Sequence, residues 1–496
     1  MTRVEVPSAL PVLSVIVPFI FATLVAIVGE RAPRVRNGLA LAATLVTFPM
    51  LAWMLPGVLA EGKTYVWTVE VMLTLRFAVL PLGVAVGSMA SLLWIFTMIY
   101  SFGYMAHEHA HTRYYTCLTG VLGATMGILT AGDLLTFFVF YEILSILVYP
   151  LVVHEESEAA MAAGKTYLVF LLVGEALVLG GIVFVSGLTG APLMLTPGGL
   201  VGDSGIAIGL LGLVSVPFIA GYGVKGAIMP EHVWLPGAMI APTPISAVLH
   251  AVAVVKVGVY GIIVYLYMIL GQATARAAGI GSVLPWIAAV TIIVSSLIAI
   301  KQDDIKRRLA YSTIGNLGYI ILGAALLSVW GLKGSVLHIF LHSFMKIVLF
   351  FCAGIIITRG NRRFFSQCGG LAKEMPVTAA CFTVGALGMI GLPPVAGWIS
   401  KWVLLQGTFT SGQYVFAAVI LFSAFLNMGY YLPPVLQFYF GKPSEERPVA
   451  SEAKRTLEAP LSMLAPTAVL AIASVVFGVW PLGPYWVADA VARAIY

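Results

Sequence analysis

Residues 221 to 244 read GYGVKGAIMPEHVWLPGAMIAPTP. Lys225 stands directly after the nearly uninterrupted apolar segment LLGLVSVPFIAGYGV, residues 210–224. Pro230 follows five residues later, then Glu231, His232 and three more prolines. A charge and a helix breaker therefore share one depth of an apolar chain. Proline removes a backbone hydrogen bond and kinks a helix, and carbonyls freed at membrane depth are tolerated only beside a cavity or water. The stretch reads as a spanning helix interrupted at Pro230, with a polar pocket in which Lys225 can titrate. A carboxylate brought near or withdrawn switches such a lysine, and Glu142 is the acid placed within reach.

The rest of the chain has the same character. Of 496 residues, 60% are hydrophobic and 10% charged, with mean hydropathy +1.00. Soluble domains carry about a quarter charged residues, so the chain is an all-α polytopic membrane protein. Apolar runs of about 20 residues, each able to cross a bilayer core, recur along its length. They give fourteen spanning helices near 9–29, 37–55, 77–100, 114–131, 133–153, 165–187, 205–228, 244–269, 279–300, 306–328, 334–358, 376–400, 414–440 and 461–482. The first run is too long for a signal-peptide core and lacks an A-x-A site after it. Cys117, Cys352, Cys368 and Cys381 show no C-x-x-C spacing, so neither a disulfide framework nor a metal or iron–sulfur site is expected.

Loop charges set the orientation. One face collects Arg31, Arg34, Arg36, Arg113, Lys165, Lys301, Lys306, Arg307, Arg308, Arg359, Arg362, Arg363, Lys373, Lys442, Arg447, Lys454 and Arg455. The other collects only Arg3, Lys63, Arg76, Arg276, Lys333 and Arg493. The positive-inside rule makes the first face cytoplasmic and puts both termini on the periplasmic side of a prokaryotic cell membrane. The formal charge of +6 is this topological signal, not a nucleic-acid footprint. Helices four to eight and nine to thirteen form two groups of five, and the fourth member of each carries the prolines. Five is odd, so the second group is inverted relative to the first, as in transporters. The divisions expected are 1–113, 114–269, 279–440 and 441–496.

Ionisable residues inside the spans carry the chemistry. They are Lys225, Lys256, Lys346 and Lys401, the acids Glu142 and Glu175, and His250, His338 and His342. A charge near the bilayer centre costs about 2.5–3.5 kcal/mol on insertion scales. A single such residue is explained by a structural ion pair or by snorkelling; nine across six helices are not. His250 and Lys256 lie nearly two turns apart on one helix. His338, His342 and Lys346 repeat at i, i+4 and i+8, forming one stripe with about 6 Å per step. Histidines at i and i+4 can chelate a metal, but no third ligand stands nearby and a lysine follows, so the stripe reads as a proton relay. A second break, at Pro393 and Pro394 in GLPPVAGWISKW (391–402), places Lys401 about two turns on.

Five motifs occur in order: GDLLTFFVFYEILSI (132–146), GVKGAIMPEHVWLPGAMIAPTPISAVLHAVAVVKVGVYG (223–261), KQDDIKRRLAYSTIGNLGYI (301–320), LHIFLHSFMK (337–346) and GLPPVAGWISKW. Together they resemble the antiporter-like membrane subunits of respiratory complex I, membrane-bound hydrogenases and multisubunit Mrp sodium/proton antiporters. The resemblance implies a path of protons, and in Mrp antiporters of sodium, with no cofactor in this chain and with other membrane subunits as partners. It implies that Glu142 is the fifth-helix glutamate, Lys225 the central lysine of the broken seventh helix, and Lys165 the lysine between them. His250 and Lys256 would relay protons on the eighth helix, His338, His342 and Lys346 on the eleventh, and Lys401 would be the exit-side group. Glu175 matches no motif. The short length after helix fourteen favours the D-type Mrp subunit or its complex I and hydrogenase counterparts, and the wording LPGAMIAPTPISAVLHAVAVVK tilts the reading to the Mrp D type. A stand-alone carrier would need a midplane site of substrate-specific polar groups, and the charges form a lengthwise row instead. No flavin, nicotinamide, haem or iron–sulfur signature marks a redox enzyme.

Overall fold

A computed structural model describes residues 3–70, 72–190, 192–201, 205–442 and 457–496. Arg447, Lys454 and Arg455 of the loop-charge argument lie outside the described residues. The first helices are α1 (Leu10–Val28), α2 (Pro33–Leu59), α3 (Pro81–Tyr104), α4 (His111–Leu129), α5 (Leu134–Val152), α6 (Glu158–Thr189) and α7 (Ile208–Lys225). A single turn α8 (Trp234–Gly237) leads to α9 (Thr243–Ala251), α10 (Val254–Val264) and the short α11 (Gln272–Ala277). Then come α12 (Ile280–Lys301), α13 (Ile305–Ala325), α14 (Val329–Gly360), the turn α15 (Leu371–Glu374), α16 (Pro376–Ile390) and α17 (Gly397–Thr410). The chain ends with α18 (Val415–Phe440), α19 (Leu461–Val479) and α20 (Leu482–Ile495). Among the described residues, eleven helical segments are long and apolar enough to cross a membrane, α9 and α10 counting as one. With α4, α13 and the broken pair α16–α17 they make the expected fourteen spans.

Side-chain caps fix several entries into the membrane. Asp133 accepts from Thr136 N at 2.7 Å to start α5, and Ser157, Asp304 and Ser328 cap α6, α13 and α14 in the same way. Each such cap is worth about 1 kcal/mol. Interruption is as local as initiation. The α7 helix ends at Lys225 itself, and Gly226–Pro230 turn away before the chain resumes at Glu231. The second break spans residues 391–396, so Lys401 falls in the second turn of α17. A third break separates α9 from α10 at Val252–Ala253, between His250 and Lys256. The eighth span is thus not the continuous helix expected, and it closes in a π-helical segment, Tyr265–Ile269.

Burial separates core from periphery. The apolar window of Thr243–Ile269 is wholly buried and that of α14 nearly so, whereas α1, α2, α6, α18 and α19 turn most of theirs outward. The helices shielded from lipid are therefore those that carry His250, Lys256, His338, His342 and Lys346. Charged residues can lie at membrane depth there because protein, not hydrocarbon, surrounds them.

The two loop faces stay separate in space. Three strands, β1 (Val4–Pro7), β2 (Lys63–Glu70) and β3 (Thr74–Val79), form a sheet in that order, β1–β2 parallel and β2–β3 antiparallel. The sheet holds Lys63 and Arg76, and Arg76 pairs with Glu5. Helix α20, in sequence only a tail, sets Asp489 between Lys333 and Arg493. On the other face Arg36 pairs with Glu30 at 2.5 Å, Arg113 with Glu156, Arg362 with Glu374 at 2.6 Å and Arg363 with Asp304 at 2.8 Å. No pair among the described residues joins the seventeen-residue set to the six-residue set.

Candidate functional site

Lys225 is the last residue of α7, and its ammonium points into the bundle. Nζ lies 2.7 Å from Glu175 Oε1 of α6, donates to Tyr141 O at 2.6 Å and sits 3.2 Å above the Tyr141 ring. The pair is 1% exposed on both sides. Ser145 Oγ donates to the same Glu175 oxygen at 2.5 Å. Glu142 is half-buried, and both Glu175 and Lys225 lie near enough for their charges to act on its carboxyl. Glu175 Oε2 is a buried oxygen without a hydrogen-bond partner. This corrects the expected Glu142–Lys225 contact: the carboxylate paired with Lys225 is Glu175.

Glu175 has a signal in the sequence that lies outside the motifs. It follows Gly174 in a buried stripe of α6 that runs Gly164, Tyr167, Leu171, Gly174, Val178, Gly181. A Cβ on Gly174 would lie 2.9 Å from the Val224 side chain, and one on Gly221 2.4 Å from Gly174 O. Close approach of α6 and α7 along this stripe brings the two charges together. Lys165 is off the stripe and exposed, so it does not lie between Glu142 and Lys225. Pro230 lines a largely apolar cavity of about 470 Å³ with Ser215, Met229, Glu231 and Ile287. Lys225 is not part of that lining. The first break positions the lysine by ending α7; protein groups, not a pocket at Pro230, receive its charge.

Across the core the remaining groups form a row. Lys256 Nζ meets His342 Nδ1 at 2.8 Å, and the His342 and His338 rings are 5.8 Å apart. Asn316 Nδ2 donates to Ser312 O at 2.7 Å, which turns its Oδ1 to His338 Nε2 at 3.1 Å. Nε2 therefore carries the proton of the neutral ring. Nδ1 lies 2.9 Å from Ser400 Oγ, whose hydroxyl has a second acceptor in Gly397 O at 3.1 Å. Rotation of that hydroxyl lets Nδ1 accept or donate, so His338 can hold one proton or two without losing a partner. Both ring nitrogens are engaged, which leaves His338 no free lone pair for a metal shared with His342.

Lys401 follows Ser400 and donates to Met389 O and Ile390 O at 2.9 and 2.8 Å. These are the last carbonyls of α16, where the helix dipole is negative. The two broken helices therefore treat their lysines differently: Lys225 faces a carboxylate, Lys401 a helix end. Lys346 turns toward α13 and α18, saturated by Leu309 O, Ser312 Oγ and Tyr431 OH at 3.2, 3.0 and 3.1 Å. His250 is wholly buried with neither ring nitrogen bonded to protein, and the charges of Lys346, Lys306 and Lys256 act on it. Lys306, in sequence only a loop charge, donates to Ala241 O at 2.5 Å. It lines a vestibule of about 540 Å³ with Tyr104, Glu155, Asp304, Arg307 and Arg363. Lys306 thus stands both at this polar opening and among the charges that act on His250.

Comparison with known proteins places this geometry. A family described as NADH:quinone oxidoreductase/Mrp antiporter, TM, matches residues 131–427, from just before the α5 motif into α18, and so includes the whole row. The chain is 34% identical over 495 residues to NADH-quinone oxidoreductase subunit N of Desulforudis audaxviator, covering 95% of this chain and 96% of that one. It is 28% identical over 423 residues to the D-type subunit of a Na(+)/H(+) antiporter of Bacillus subtilis, covering 84% and 83%. Among solved structures it superposes on a chain of the Mrp complex from Dietzia sp. DQ12-45-1b, with TM-score 0.87, 22% identity and coverage of 98% and 97%. A chain of the archaeal membrane-bound sulfane sulfur reductase matches with TM-score 0.86, 23% identity and 98% of each chain.

Proposed function

The chain belongs to the NADH:quinone oxidoreductase/Mrp antiporter transmembrane family, and from that premise we propose that it carries protons along its buried row. It is an antiporter-like subunit of the kind found in Mrp and complex I-like assemblies. The observation that carries the proposal is the run of polar groups from Lys256 through His342 and His338 to Ser400, at separations of one hydrogen bond or one ring contact, with Lys401 the next residue of α17. A proton entering by the vestibule meets Lys306 and His250 first. From Lys256 it reaches His342, then His338, whose two protonation states Ser400 accommodates, and Lys401 releases it at the second break. The Glu142–Glu175–Lys225 group gates the row by holding or freeing a charge. Replacing Lys256 with Met is expected to reduce proton flux in inverted vesicles to background at matched expression. Flux within twofold of the unmodified protein would remove Lys256, and with it the row, from the mechanism.

Partners follow from the family: other membrane subunits of one complex, in a prokaryotic cell membrane. Two assemblies fit. The wording of residues 235–256 favours the Mrp D type, in which sodium would be a second transported ion. The 34% identity to the oxidoreductase chain over nearly both whole lengths, against 28% to the D-type antiporter chain, favours a complex I-like oxidoreductase. Subunits that purify with the native chain decide between them. Quinone-reducing or iron–sulfur partners fit the second assembly, and small Mrp-type partners the first.

The orientation proposed is both termini periplasmic. It rests on the loop-charge asymmetry and on the separation of the two charge sets. Alkaline phosphatase fused after Tyr496 should be active, and a green fluorescent protein fused there dark. A fluorescent fusion would invert the topology and put the vestibule on the wrong face for proton uptake from the cytoplasm.

A further inference from the structure

Away from the row, the loop between α3 and α4 meets the end of α5. Glu108 and His109 lie in that loop and His154 follows α5. One ligand atom from each lies within 4.8 Å of the others. We propose that Glu108, His109 and His154 bind a divalent transition-metal ion, zinc being the best fit. Two imidazoles and one carboxylate, with a fourth position left to water, are a donor set that Zn²⁺ accepts. Tetrahedral Zn–N bonds of about 2.0–2.1 Å bring ligand atoms roughly 3.3 Å apart, a closure that rotation of exposed His109 supplies.

His154 is the observation that points to a ligand. The residue is fully buried, and neither Nδ1 nor Nε2 has a hydrogen-bond partner. The His109 main chain lies near the ring, but neither ring nitrogen makes a hydrogen bond to it. A buried polar group left unpaired costs about 1–3 kcal/mol, and metal ligation would use it. The ring is already aimed: it stacks on His109 with centroids 4.8 Å apart at 30°, and Tyr114 packs edge-on at 5.8 Å. Arg113 Nη2 donates to His154 O at 2.8 Å and fixes its backbone. The Arg113 charge that would oppose a cation is paired with Glu156. His111 lies outside the group, with its Nε2 turned to Met105 O at 2.7 Å.

The position gives the site a consequence. Glu108 is one of the acids whose charge reaches Lys306, so a bound ion would offset part of the negative charge felt at the vestibule.

Binding is tested apart from transport, by titrating Zn²⁺ into the purified full-length chain against a chromophoric chelator. One equivalent per chain is expected. Affinity should fall at least about tenfold in Glu108→Gln, His109→Ala and His154→Ala, and should not change in His107→Ala. Glu108 and His109 reach the surface, so their variants report on ligation even if His154→Ala folds poorly. Unchanged affinity in both Glu108→Gln and His109→Ala, equal loss in His107→Ala, or no stoichiometric binding would overturn the site.

Discussion

Lys225→Arg is expected to stop proton flux in inverted vesicles while the complex still assembles. Arginine stays protonated at any attainable pH, so it can pair with Glu175 but cannot give up its proton. Its planar fork is also the wrong shape for a site in which a compact ammonium sits 3.2 Å over the Tyr141 ring and bonds Tyr141 O and Glu175 at once. Lys225→Ala and Glu175→Ala should each abolish flux too. Each strands a buried charge, a change of about 3–5 kcal/mol for a truly buried pair. Removing both partners should destabilise the chain less than the two single losses added together, since neighbours in one network are not additive. Glu142→Gln should be milder in stability, because Glu142 is only half-buried and the ion pair of Lys225 is with Glu175. Near-normal flux in Lys225→Arg would make Lys225 a fixed charge and end the switch.

The difference between Glu175 and Glu142 shows how far the residues alone could be read. Apolar run length gave the fourteen spans, and prolines gave two of the three breaks, because proline acts through its own missing N–H. The third break, at Val252–Ala253, has no proline or glycine. It is held by another helix: Ser343 Oγ of α14 donates to Ala251 O at 2.6 Å and satisfies the carbonyl that the interruption frees. A tertiary partner of this kind leaves no mark in the local sequence. The His338–His342–Lys346 stripe is legible from periodicity, yet Lys346 leaves the row for Ser312 and Tyr431. Which way a long side chain turns from a shared face depends on neighbours that periodicity does not name. The small sheet escapes the sequence for a related reason. Its strands are short segments between spans, and β1 is joined to β2 across the whole length of α1 and α2.

Gly258→Ala is expected to cost about 1–3 kcal/mol, the usual penalty of overpacking, and to take proton flux with it. Alanine normally gains up to about 1 kcal/mol over glycine inside a helix, so the sign rests on the contact. A Cβ at Gly258 would lie 2.2 Å from Gly226 N and 2.6 Å from Lys225 C. These are backbone atoms of the turn that ends α7, and no rotamer can relieve them. Helix α10 must back away, or the end of α7 must shift and carry Lys225 off Glu175. Lys256 is two residues from Gly258, so either movement disturbs the first step of the row as well. The second break is clasped in the same manner: a Cβ on Gly478 of α19 would come within 1.8 Å of Pro394 O. Backbone pressed against backbone holds each interruption in place without a side chain between. Gly180→Ala is the matched control, since a Cβ there meets nothing within 4 Å, and it should be neutral or slightly stabilising. The two variants are compared by thermal unfolding of the purified protein and by vesicle flux. If Gly258→Ala melts and transports as Gly180→Ala does, α10 does not fix the position of Lys225, and some other contact must hold the first break.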